Sequence, residues 1–132
     1  MNPSIKEAIE KCAHQSHVGE LTFPEVLERL LGVGVESYLA DYRDQSSTYY
    51  LSNNEALCIS MEMPQVDIAE SFNEEGVILA IRGAQSDQLR YPEFLRLTMA
   101  AGCIGYMVWI AGRHVTYFGR RGEVHIEHFP PG

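Results

Sequence analysis

Apolar residues recur along this chain in two periods, one helical and one strand-like, and the succession of periods runs through twice. Ile5, Ala8, Ile9, Cys12 and Ala13 follow the three-and-four spacing of one helical face. Ser4-x-x-Glu7 reads as a capping box, so a helix is expected over residues 4–16, broken by Gly19. Thr22-Phe-Pro-Glu25 is a second capping box, with Pro in the first turn where its missing N–H costs nothing. Phe23, Val26, Leu27, Leu30 and Leu31 make its apolar stripe, and Gly32 or Gly34 ends it. The period then falls to two. Residues 35–43, 47–52 and 56–61 read as short strands, with a turn over residues 44–46 and a hairpin at Asn53-Asn54.

The scheme then repeats. Ser71-x-x-Glu74 reads as the cap of a helix carrying Val77 to Ile81, more apolar than the first helix and expected to be more buried. Pro92 opens a fourth helix with Tyr91, Phe94, Leu95 and Met99 on one stripe, and Gly102 stops it. Residues 103–110, 115–118 and 123–129 read as a meander with turns at Gly112-Arg113 and Arg121-Gly122. Strict alternation in the first of these strands puts Ile104, Tyr106, Val108 and Ile110 on one face, with Cys103, Met107 and Trp109 on the other. Both faces are apolar, so this strand is expected to be buried on two sides. Its counterpart, with Glu36, Asp41 and Arg43, is expected to be half exposed.

Shifted by 68 positions, residues 23–61 lie on residues 91–129 without a gap, and eight of the 39 pairs are identical. Ordinary composition gives about two or three. The identities include Pro24/Pro92, Gly34/Gly102, Tyr38/Tyr106 and Tyr49/Tyr117. Asp44 faces Gly112 and Asn54 faces Gly122, so both turns are expected to hold positive φ there. The expectation is an α+β fold: an internally duplicated α-α-β-β-β unit with pseudo-two-fold symmetry, its antiparallel meanders packed with four helices. Residues 1–132 form one domain of two repeats, about 4–62 and 71–129, sharing one core. Whether the meanders join into one sheet or stack as two stays open.

Composition narrows the function classes. Ten basic against eighteen acidic residues give a net charge of −8, which argues against nucleic acid as the main partner. Residues 90–132 nevertheless carry five Arg and three Glu, a mildly basic island. No apolar run reaches the roughly 20 residues that span a bilayer. The N-terminus lacks the apolar core of a signal peptide, so a cytoplasmic location is expected. Three cysteines without C-x-x-C spacing argue against a disulfide framework.

Few residues offer chemistry. Cys103 follows a helix-ending glycine, a place for a nucleophile, but it aligns with Val35, and Cys58 aligns with Ile126, so both read as core positions. His125 and Glu127 share a strand face, where the acid could orient the imidazole or raise its pKa. His128 points the other way, with Val124 and Ile126, and reads as partly buried; the two histidines cannot chelate one metal. His14 and His17 read as a frayed, solvated helix end, and no metal or other cofactor is expected. The largest difference between the copies is cationic. Arg113, His114, Arg120, Arg121 and His125 stand where the first copy has Gln45, Ser46, Ser52, Asn53 and Leu57. Clustered Arg suits a carboxylate or phosphate, although the two hairpins of a meander lie at opposite ends of its strands. Tyr106 and Tyr117 pair with Tyr38 and Tyr49; such residues are core packing or the lining of a pocket near the pseudo-axis.

The run AAGCIGYMVWIAGRHVTYFGRRGEVHIEHFP at residues 100–130, with GVESYLADY at 34–42 and STYY at 47–50, resembles the YbcV-like bacterial proteins often labelled "phage envelope protein". The resemblance implies at most an association with mobile elements, and carries over no catalytic residue. Three readings follow. The first is a non-enzymatic binding or regulatory module, taking a small anionic ligand or a protein partner through Arg113, His114, Arg120, Arg121, His125, Tyr106 and Tyr117. The second is an enzyme using His125 or His114 with Glu123 or Glu127 as an acid–base pair. The third is a homodimeric assembly protein joined through a sheet edge or an apolar helix face. The first is preferred, with no nucleic acid or membrane partner.

Overall fold

Helix α1 (Pro3–His17) starts one residue earlier than its expected capping box, because the side chain of Asn2 accepts from the N–H groups of Ser4 and Ile5, and Pro3 stands in the first turn. The structure, a computed structural model, describes residues 1–130. Helix α2 (Phe23–Gly32) has the expected reciprocal box: Glu25 N–H donates to Thr22 Oγ1, and Thr22 N–H donates to Glu25 Oε1 at 2.9 Å. Gly34 follows at φ +89°. Strands β1 (Val35–Asp41), β2 (Ser46–Leu51) and β3 (Ala56–Ser60) complete the first half.

Helix α3 (Glu74–Gln85) is capped by Asn73 rather than Ser71, since Asn73 Oδ1 accepts from Gly76 N–H at 3.2 Å. The Asn73 N–H is itself bonded to the Ala101 carbonyl at 2.7 Å, which holds the chain extended up to that residue. Helix α4 (Tyr91–Ala100) and strands β4 (Cys103–Trp109), β5 (His114–Gly119) and β6 (Val124–His128) follow. Each of the last four elements begins 68 positions after its counterpart in the first half.

The strands form one six-stranded antiparallel sheet in the order β3-β2-β1-β4-β5-β6, so the two meanders meet along β1 and β4. All four helices lie on one side of it. Phe94 of α4 packs on Tyr106 and Tyr117, Glu74 of α3 reaches His125, and Ala13 of α1 with Val26 of α2 lies beside Tyr38 and Tyr49. Buried residues of both halves form one apolar cluster on that side.

Two departures from simple alternation decide which residues join it. The β1–β2 register shifts between Val35 and Ser37, and the β4–β5 register shifts at the matching place, between Cys103 and Gly105. Each shift is a bulge that inserts one residue and flips the parity of the strand's start. Cys103 therefore joins Tyr106 and Val108 in the core instead of sharing a face with Met107 and Trp109. Strand β4 is not buried on two sides. Its second face is bare, with Met107 half-buried and Trp109 exposed. Positive φ in the first turn of each meander falls at Gln45 and Arg113, one residue later than expected, while Asn54 and Gly122 hold it in the second.

Candidate functional site

The side chains that alternate away from the helices make three rows across the sheet. The central row runs Cys58, Thr48, Leu39, Met107, Thr116, Ile126. On one side of it lie Ala56, Tyr50, Ser37, Trp109, His114 and His128. On the other lie Ser60, Ser46, Asp41, Gly105, Phe118 and Val124. These eighteen positions include one carboxylate and no Lys or Arg, in a chain that is 21% charged. Asp41 is also occupied locally, accepting from the N–H groups of Arg43 and Asp44 at 3.1 Å. Trp109, Val124 and Ile126 are 40%, 50% and 49% exposed. A broad face with a single charge and exposed large apolar side chains is unusual, since bare antiparallel faces are ordinarily polar.

The rest of the face is organised around the tryptophan. Its indole N–H donates to Thr116 Oγ1 at 3.3 Å, its ring lies 6.3 Å from His114, and His114 lies 5.7 Å from His128. His128 is exposed here rather than partly buried, and Cys58 is exposed rather than in the core, because nothing among the described residues covers their side of β6 and β3.

The other expected site residues are dispersed. Arg113 sits in the β4–β5 turn, donating to the Pro130 carbonyl at 3.0 Å with its guanidinium over the Phe129 ring. Arg120 and Arg121 sit beyond the opposite end of β5, about 20 Å away along the strand. Arg120 donates to the Ile68 carbonyl at 3.2 Å. These two arginines line an open cleft of about 740 Å³ with Asp67 and Glu70, whose carboxylates offset their charge. The cationic turns therefore do not converge on one anion.

Tyr106 and Tyr117 are buried, with ring centroids 5.7 Å apart. The Tyr106 hydroxyl pairs with that of Tyr91 at 2.7 Å. The cavity beside Tyr106, also lined by Tyr38, Tyr49 and His17, is about 20 Å³, room for one water molecule. His17 is no frayed end: it stacks on Tyr91 at 5.5 Å, and burial followed by the field of His14 lowers its pKa.

His125 lies on the helical side, separate from His114. Its Nδ1 is 2.8 Å from Glu74 and its Nε2 is 3.3 Å from Glu127, which in turn accepts from Arg82 at 2.8 Å. Burial pushes the Glu127 carboxyl up, but the bonds from Arg82 and His125 outweigh it and leave it below its usual range. The cluster ties α3 to β6, a contact spanning 51 residues that no local pattern announces. No group of three or more His, Cys, Asp or Glu among the described residues is arranged to hold a metal ion, and no helix is long and apolar enough to cross a membrane.

Residues 7–128 match a family described as protein of unknown function, DUF1398. The chain belongs to that family. All eighteen positions of the bare face lie inside the matched region. Relatives include uncharacterized proteins of Mycobacterium tuberculosis (strain H37Rv) and Mycobacterium bovis, each 28% identical over 110 residues. That stretch is 81% of this chain and 66% of each relative, so the chain spans just under two thirds of their length.

Proposed function

We propose that this protein is a non-enzymatic binding module whose docking surface is the bare face of its sheet. The observation that carries the reading is the row structure of that face: eighteen positions with one carboxylate, around an exposed Trp109. Burying it against a partner returns roughly 25 cal/mol per Å² of apolar surface with almost no charge to desolvate. The docking surface is thus broader than the cationic turns of the second half, of which only His114 belongs to it. We read the two halves as copies of one unit within a single domain. A cytoplasmic setting fits its free thiols, one of them exposed. The resemblance to phage-labelled proteins supplies no partner chemistry.

The test is in-cell photo-crosslinking, with a benzophenone amino acid at Met107 and, as control, at Glu28 on the exposed side of α2. The expected result is a discrete adduct from position 107 and none from position 28. No adduct from position 107 defeats the reading.

A second reading, acid–base catalysis at His125, draws on its clasp by Glu74 and Glu127. Both ring nitrogens are engaged, whereas a general base needs one free to reach a substrate proton. The geometry therefore favours a structural latch.

A further inference from the structure

The bare face is unevenly built, and the unevenness follows the two halves of the chain. On β4, β5 and β6 it presents Met107, Trp109, Phe118, Val124 and Ile126. On β1, β2 and β3 the corresponding places hold Leu39, Asp41, Tyr50, Ala56 and Cys58, with Ser37, Ser46, Thr48 and Ser60 beside them. One half is bulky and the other, Leu39 and Tyr50 apart, is mostly small. Resting on the docking reading above, we infer that the occupant of this face is a second copy of the same chain. The copies are related by a two-fold axis running parallel to the strands, midway between the stacked sheets.

Such an axis reverses the order of strands across the interface. It lays β6 of one copy over β3 of the other, so each bulky half meets a small-residue half. The other in-plane axis, perpendicular to the strands, would stack bulky on bulky and leave the small halves apart. Two sheets packing face to face in an aligned manner stand about 10 Å apart with interdigitating side chains, and a large-on-small pairing fills that layer evenly.

Area and charge point to the same occupant. Six strands about 4.8 Å apart and about 20 Å long give roughly 600 Å² in projection, and more as accessible surface. That approaches the roughly 800 Å² per partner of a standard specific interface. An isologous contact sets each surface against itself, so any net charge on the face would repel its own copy. The face comes close to that condition in a chain whose net charge is −8. Its one charged side chain is Asp41, which already accepts from the Arg43 and Asp44 N–H groups and lies opposite Gly105 of the other copy under this axis. A strongly basic or acidic partner would need the opposite.

The arrangement is tested on the intact chain by sedimentation and by a short bismaleimide cross-linker. Cys58 is the one exposed thiol, with Cys12 and Cys103 buried. Under the proposed axis the two Cys58 side chains of a dimer stand about five strand spacings, or roughly 24 Å, apart. Cys58 of one copy, however, lies opposite Ile126 of the other. The wild type should sediment at twice 14.9 kDa at micromolar concentration and resist cross-linking. Ile126→Cys should give a covalent dimer in high yield. Met107→Lys, with an unchanged circular dichroism spectrum and melting profile, should sediment as a monomer. Added salt should tighten the wild-type dimer by screening the repulsion of two acidic chains. A Cys58–Cys58 cross-link in the wild type overturns the proposed axis. A dimer indifferent to Met107→Lys overturns the interface. A wild-type monomer overturns the second copy as occupant, and the photo-crosslink at Met107, giving an adduct with a different protein, then separates that failure from failure of the docking reading itself.

Discussion

The buried bond between Tyr42 and Thr98 joins the two halves of the chain, and its asymmetry gives a sharp test of how this core is held. Tyr42 extends from β1 and Thr98 from α4; both are buried, and their hydroxyl oxygens are 2.8 Å apart. Thr98 has one hydroxyl proton, which faces the carbonyls of Phe94 and Leu95 in its own helix at 3.0 and 3.2 Å. Tyr42 is therefore the donor. Tyr42→Phe removes that donor and leaves Thr98 with its helical partners, a loss of about 0.5–1 kcal/mol. Thr98→Val keeps the shape but strands a buried phenolic O–H, and costs about 1–3 kcal/mol. The double variant removes the stranded group as well, so most of the Thr98→Val penalty disappears in the Tyr42→Phe background. Urea unfolding monitored by circular dichroism reads all three as midpoint shifts at constant slope. The reasoning is refuted if Tyr42→Phe costs as much as Thr98→Val, or if the two penalties simply add.

Three further outcomes are expected. Gly34 and Gly102 share a positive φ near +90°, but a Cβ on Gly34 meets open space while one on Gly102 runs into the Ser71 carbonyl. Gly34→Ala should thus cost about 1–2 kcal/mol and Gly102→Ala clearly more, in the same urea assay; equal costs would deny the close approach of the 71–72 backbone. Burial lowers the His17 pKa, so the folded state binds its proton less readily than the unfolded chain, whose histidine titrates near 6.5. Its contribution to stability is then present above that value and lost as pH falls through it toward the folded pKa. His17→Phe, which retains a ring to stack on Tyr91, should flatten this part of the stability–pH curve, and an unchanged slope counts against the reading. Finally, burial pushes the Cys103 thiol up to about 12 and raises Cys12 as well, so Ellman's reagent should titrate one thiol, Cys58, in the native Met107→Lys variant and three in urea. Prompt labelling of Cys103 in native protein would mean that the core opens far more readily than its packing allows.

Much of the fold is legible because its signals are local. Thr22 and Glu25 are three residues apart and bond to one another, and Gly34 and Gly102 end helices by a property of the glycine backbone itself. The strands of each meander stand where alternation and the 68-residue self-match put them. What was not legible depends on contacts or on a single inserted residue. Asn2 and Asn73 displaced two plausible Ser-x-x-Glu caps, the second because Asn73 N–H is pinned to Ala101 in a different element. The bulges after Val35 and Cys103 reversed the face of each strand's first residue, so reading Cys103 to Trp109 by strict alternation joined Cys103 to the wrong face. Gly105 was the available signal, since an interior strand glycine often marks a bulge. The candidate site is hidden for a different reason: both faces of β4 are apolar, and a face read as buried is not recognised as bare. Charge clustering along the sequence drew Arg113, Arg120 and Arg121 together, although the length of β5 holds them apart.

The seam where β1 meets β4 has a consequence for the chain while it is being made. Residues 37–41 find their partners 64 to 72 positions further on, at 105–109. During synthesis the whole first meander emerges while the inner edge of β1 still has no strand to pair with. Every ribosome on the same message displays that same edge, and antiparallel pairing lets it recognise another copy of itself. The bulge after Val35 and the charges of Glu36 and Asp41 blunt the edge but leave its central backbone groups open. Until Trp109 clears the exit tunnel, a neighbouring nascent chain competes with the strand that β1 is waiting for.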